Sequence, residues 1–96
     1  MAIEIRHDVN DGGGEYVLVL DGEVIGELDH VDRDGVRSFT HTGVRPAHRG
    51  HEYAAELVRR GLDDARAEGL AIEPACSYVV SYLRLHPEDR DLVAGS

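Results

Sequence analysis

The apolar residues change their period once along this chain, and that change fixes the fold class. Up to residue 44 they alternate with polar residues, in four runs separated by turn formers. Alternation with a period of two is the mark of a strand with one buried face. "IEIRHDV" (3–9) sets Ile3, Ile5 and His7 on one face. "NDGGG" (10–14) reads as a hairpin loop and "EYVLVL" (15–20) as the second strand. Asp21-Gly22 is a two-residue turn signal of the kind that needs positive φ. "EVIGELDHV" (23–31) is a third strand, with Gly26 marking a bulge. "DRDG" (32–35) turns the chain again into "VRSFTHTGV" (36–44). Four strands joined by short turns make an antiparallel meander.

From residue 53 the spacing becomes three and four. Ala54, Leu57, Val58, Gly61, Leu62 and Ala65 form one helical stripe. Glu52, Glu56, Arg59, Arg60, Asp63, Asp64, Arg66 and Glu68 take the other face, with Glu56 and Arg60 spaced to attract. Gly61 costs helix propensity, so its place in the stripe predicts a close approach to the sheet. Gly69 reads as the helix stop. "LAIEPAC" (70–76) is a fifth strand. A strand, helix and strand in this order predict a right-handed crossover and a parallel pair. Pro74 then demands an edge position or a place where pairing stops. Residues 77–86 read as a second helix, with Ser77 as N-cap and Pro87 as terminator. The expected fold is α+β and one domain over 1–96: a mostly antiparallel curved sheet, a main helix, a parallel fifth strand and a C-terminal helix.

The 96 residues suit a single modest core, mostly aliphatic, since the chain has no Trp and one Phe. No segment reads as a signal peptide or a membrane span, so the expected setting is cytoplasmic, without membrane contact. The single cysteine, Cys76, excludes an internal disulfide framework. The histidines show no dense ligand spacing, so no metal is expected. Net charge is −9 and all ten basic residues are Arg. A surface this negative argues against nucleic-acid binding, which rests on phosphate neutralisation, and would suit a cationic substrate.

Against that charge, "HTGVRPAHRGHEYAA" (41–55) stands out. Arg45, His48, Arg49 and His51 cluster in the joint between the fourth strand and the main helix. A helix N-terminus offers unpaired N–H groups and a favourable dipole to an anion. The stretch is neither a nucleotide P-loop nor a dinucleotide fingerprint. On pattern alone it is either a phosphate site or a turn with a charged rim.

The order of elements, with "HTGV" (41–44), the "RPAHRG" turn, "AAELVRRGLDDARAEGL" and "PACSYVVSYLRLHPEDRDL", resembles the small branch of the GNAT-type N-acetyltransferases, of about 90 residues. The resemblance covers nearly the whole chain. It implies that the turn before the main helix holds the pyrophosphate of acetyl-CoA and that the pantetheine arm lies where the two parallel strands part. Thr42, Val44 and Arg45 would face the pantetheine and pyrophosphate; Arg49, Gly50, His51, Glu52, Tyr53 and Ala54 would form the phosphate turn. Cys76 and His41 take the catalytic positions. The family loop is Arg/Gln-x-x-Gly-x-Gly/Ala; set with Ala47 first, it puts Glu52 last. Gly43 stands where many relatives carry a carboxylate.

The implied activity is acetyl-CoA-dependent acetylation of an amine whose identity is open, with a protein or peptide amine favoured by the small size of the chain. Such chemistry needs a base for the amine, an oxyanion donor and an acid for the leaving thiolate. On this resemblance His41 is either the base or a strand histidine satisfied by its neighbours, a backbone N–H near Val44 is the oxyanion donor, and Cys76 is either a nucleophile favoured as thiolate by the helix that follows or a small buried side chain under that helix. Tyr78 and Tyr82, one turn apart, either protonate the sulfur or pack. The alternative is a noncatalytic CoA-binding or protein-interaction module with the same fold. The chain is expected to be a monomer.

Overall fold

The structure is a computed structural model and describes residues 2–95. Five strands form one sheet in sequence order: β1 (Ile3–Asn10), β2 (Gly13–Leu20), β3 (Glu23–Arg33), β4 (Val36–Val44) and β5 (Ala71–Pro74). The first four pair antiparallel, and β4 and β5 run parallel, as the crossover requires. A 3-10 turn (Pro46–His48) leads from β4 toward α1 (Tyr53–Ala67). After β5 come α2 (Ser77–Leu85) and a second 3-10 turn (Pro87–Leu92). The α+β architecture matches the sequence expectation, and β4 has the expected bounds.

One face of the sheet is apolar because its strands alternate. Tyr16, Leu18, Ile25, Leu28 and Phe39 from the strands meet Leu57, Val58, Leu62 and Ala65 from α1 and Val79, Tyr82 and Leu83 from α2 in one cluster. Gly61 lets α1 come down onto it. A Cβ there would lie 2.9 Å from Phe39 Cε1 and 3.0 Å from Leu28 Cδ2. Two bulges bend the sheet. One leaves Ile25 unmatched beside Gly26; the other leaves Thr40 unmatched on β4.

Three local expectations are corrected. Gly13 and Gly14 belong to β2 and not to the loop, so only Asp11 and Gly12 form the turn. Their reason is His30: a Cβ on Gly14 would lie 2.8 Å from His30 Nε2. The N-cap of α2 is Cys76, with Ser77 the first helical residue. Arg60 pairs forward with Asp64 at 3.1 Å, not back with Glu56, because it also donates to the Ile5 carbonyl.

A buried polar network ties the sheet to the C-terminal end of α1. Arg37, 3 % exposed, donates to both carboxylate oxygens of Asp32 (2.9 and 3.0 Å) and to Glu68 (3.2 and 3.3 Å). His30 Nδ1 lies 2.8 Å from Asp32, and its Nε2 lies 2.8 Å from His7 Nε2. His7 stacks on Tyr16, whose hydroxyl donates to Asp64 at 2.9 Å. The Arg37 guanidinium, followed by the His30 bond, holds the Asp32 carboxyl below the usual carboxylate range even though burial works against it.

Candidate functional site

The site begins where the parallel pair ends. Strands β4 and β5 pair only from Val36↔Ala71 to Phe39↔Pro74. Pro74 has no N–H to continue the ladder, so the strands part there. Residues 40–44 of β4 keep β3 on one side and lose β5 on the other. The Arg45 N–H donates to the Ile25 carbonyl at 2.8 Å. In an antiparallel ladder this places Gly26 and Val44 in a non-hydrogen-bonded pair, and Leu28 and Thr42 likewise. The N–H and C=O groups of Thr42 and Val44 therefore point away from β3, into the opening.

A cavity of about 340 Å³ lies against this edge. Its wall includes Thr42, Gly43 and Val44 from β4, Gly50 and Glu52 from the turn before α1, and Ala54 from its first turn. Arg49 and Tyr53 complete the residues that the family resemblance implies there; His48, from the basic cluster, and Tyr78, one of the two candidate acids, line it too. Arg45 and His51 lie outside the lining. Arg45 spends its N–H on Ile25 and its guanidinium on Glu23, at 2.8 Å. Arg49 secures the turn by donating to the Val44 carbonyl at 3.2 Å.

Glu52 is the conformational exception. It caps α1 in the left-handed region, with φ 61° and ψ 23°. That geometry costs a non-glycine residue roughly 1–2 kcal/mol. Gly50, with φ 88°, is left-handed too, so the loop of the family pattern fits this backbone in a second register as well. With Arg49 first, Glu52 falls on the glycine position and Ala54 on the final Gly/Ala. Ala47 is then no part of the pattern. The helix start leaves the N–H groups of Tyr53, Ala54 and Ala55 without intrahelical partners, as the first bond closes from Glu56 to Glu52 at 3.1 Å.

The two predicted catalytic residues lie on opposite faces of β4. Thr42 points to the helical side, where Cys76 Sγ donates to its Oγ1 at 3.5 Å. Burial pushes the Cys76 thiol up, but the Thr42 hydroxyl and the N–H groups of Tyr78 and Val79 outweigh it and leave the pKa below the ordinary thiol value. His41 points to the open side, with its Nε2 3.2 Å from Glu27 Oε1. That open side is acidic. Glu15 stands opposite Asp29, and Asp29 opposite His41. The hydrogen bond to Asp29 raises the Glu15 pKa, with burial helping. Of the two tyrosines, Tyr78 reaches the cavity. Tyr82 is 7 % exposed, in the core and stacked on His86.

The family model of the GCN5-related N-acetyl-transferases matches residues 15–92. The chain belongs to that family. No curated protein sequence matches. Among solved structures, a GCN5-like protein from Staphylococcus aureus is similar over 95 % of this chain and 89 % of its own, with 18 % identity and a TM-score of 0.70. The ribosomal-protein-S18-alanine N-acetyltransferase from Escherichia coli is similar over 81 % of this chain and 54 % of its own (11 % identity, TM-score 0.69). A GNAT family acetyltransferase from Brucella melitensis, solved in complex with acetyl-CoA, covers 72 % of this chain and 51 % of its own (22 % identity, TM-score 0.58). The chain thus spans about half the length of these last two. At such identities the likeness concerns the fold. Among the described residues, no helix is long and apolar enough to cross a membrane.

Proposed function

We propose that this chain binds acetyl-CoA in the β4–α1 cavity and transfers its acetyl group to an amine. The observation that carries the reading is the conjunction at the opening: backbone groups of Thr42 and Val44 that β5 no longer pairs, beside a helix start whose first N–H groups have no intrahelical partner. The first suit an amide-bearing arm and the second a pyrophosphate. The complex with acetyl-CoA in the Brucella relative supports the same ligand. Within this reading the Val44 N–H is the oxyanion donor and His41 takes the amine proton. Cys76, at the α2 N-terminus with a lowered pKa, is the second nucleophile, and Tyr78 the group placed to protonate the leaving sulfur. The acceptor is an amine on a protein or peptide, because His41, the group that takes its proton, stands on an open sheet face with its side chain 58 % exposed.

One feature favours a noncatalytic CoA-binding module instead. Glu52 sets a side chain and a negative charge at the position where phosphate is to approach. NMR titration with acetyl-CoA and with CoA separates the readings. Shifts confined to residues 42–54 and 76–78 support the site, and no response at millimolar ligand sinks both. If binding is seen, intact mass after exposure to acetyl-CoA reports whether Cys76 gains an acetyl group.

A further inference from the structure

Gly43 has an unusual neighbour. A Cβ built on it would lie 2.6 Å from Glu27 Oε1 and 3.1 Å from His41 Nε2. Glu27 is the direct cross-strand partner of Gly43, and its carboxylate folds over the bare backbone to reach His41. No larger residue at 43 could coexist with this arrangement unless Glu27 moved. Gly43 also belongs to the cavity wall, so only backbone separates the cavity from the Glu27–His41 pair.

We propose that Glu27 is the positioning carboxylate of this site: it lies over Gly43 and orients His41 as the base for the acceptor amine. The inference rests on the acetyl-transfer reading above. With Glu27 ionised, His41 Nε2–H donates to Oε1, which leaves the Nδ1 lone pair free. The amine nitrogen attacks the acetyl carbon, the C–N bond forms, and the C–S bond breaks. CoA departs with the bonding pair and takes a proton from Tyr78, which recovers one from solvent, and the amine proton moves to His41 Nδ1. Glu27 stays ionised throughout and balances the imidazolium. Asp29, opposite His41, is the other charged group facing that ring from β3. The pair is reachable, since His41 is 58 % and Glu27 35 % exposed at the side chain. Sequence reading looks for the carboxylate at residue 43 and misses it one strand away, because cross-strand register is invisible to it.

Two measurements on the intact chain test this. Long-range ¹⁵N NMR of the His41 ring reads its tautomer, and CoA release from acetyl-CoA with poly-L-lysine as acceptor reads the rate. The wild type should hold His41 as the Nε2–H tautomer, and Glu27→Ala should lose that preference. Glu27→Gln, which keeps the shape, should lower kcat about tenfold or more while leaving the KM for acetyl-CoA unchanged. The exchange Glu27→Ala with Gly43→Glu should recover most of the rate, because the carboxylate returns to the same place from the facing strand. An unchanged tautomer in Glu27→Ala, or an unchanged kcat in Glu27→Gln, overturns the role of Glu27 and leaves acetyl transfer standing. A wild type that binds acetyl-CoA but releases no CoA to poly-L-lysine overturns the base role of the pair. A wild type that does not bind acetyl-CoA overturns the acetyl-transfer reading itself.

Discussion

At its C-terminal end α1 is held by Arg37, which satisfies Asp32 and Glu68 together, while Tyr16 donates to Asp64. At its N-terminal end the same helix begins with Glu52 in a left-handed conformation and the free N–H groups of its first turn, with Tyr53 and Ala54 in the cavity wall. One end has its charges paired around a buried guanidinium. The other keeps donors unspent and tolerates strain. On the acetyl-transfer reading, stability and ligand binding fall to opposite ends of one element.

The strongest way to break this contrast is Arg37→Ala. It removes a guanidinium that is almost wholly buried and leaves Asp32 and Glu68 unbalanced. The expected loss is about 3 kcal/mol, read as a fall in urea midpoint. Residues shifted by acetyl-CoA at 42–54 should stay the same. If they change, the ends are coupled and the division is wrong.

Next in size is Glu52→Gly, which sharpens the open end. It relieves the positive φ and removes a carboxylate from the phosphate side. Removing one exposed like charge is worth on the order of 1 kcal/mol, or about a fivefold tightening of acetyl-CoA. Calorimetry measures it directly. Unaltered affinity would mean that Glu52 turns its charge away from the ligand.

The smallest effect concerns pH and belongs to the anchored end. Burial, then His30 and Arg37, lower the His7 pKa below its ordinary 6.5. The unfolded chain thus takes up this proton at a higher pH than the folded one does. The contribution of His7 is full above about 6.5 and declines as the pH falls from there toward the folded value. The melting temperature should therefore drop between pH 7.5 and pH 5.5, and His7→Phe should flatten that slope. A slope unchanged in the variant would assign it to another group.

Much of this architecture is legible in the residues themselves. The switch from period two to period 3.6 gives the four strands, α1 and the parallel crossover. Gly61 in the apolar stripe announces the close packing on Phe39, and Pro74 announces the end of the β4–β5 ladder. What escaped is what depends on facing partners. Gly13 and Gly14 look like a loop because glycine usually serves turns, yet here they clear space for His30. The positive φ of Glu52 carries no mark in the sequence, because a glutamate rarely takes the left-handed region that Gly50 takes two residues earlier. His48 was legible only as part of a basic cluster and Tyr78 only as one of two tyrosines; their place in the cavity wall comes from tertiary placement. Sequence also could not show that Arg45 spends its N–H on Ile25.

The parting of β4 and β5 has a consequence for traffic through the site. An opening between strands joins the two faces of a sheet, so cofactor and acceptor need not share an entrance. On the acetyl-transfer reading, CoA would dock from the helical side while the amine arrives across the acidic face beside His41. The cavity then sets no ceiling on acceptor size: a folded protein could rest against the sheet and present a single lysine, as a key is shown to a letterbox, not carried through the door.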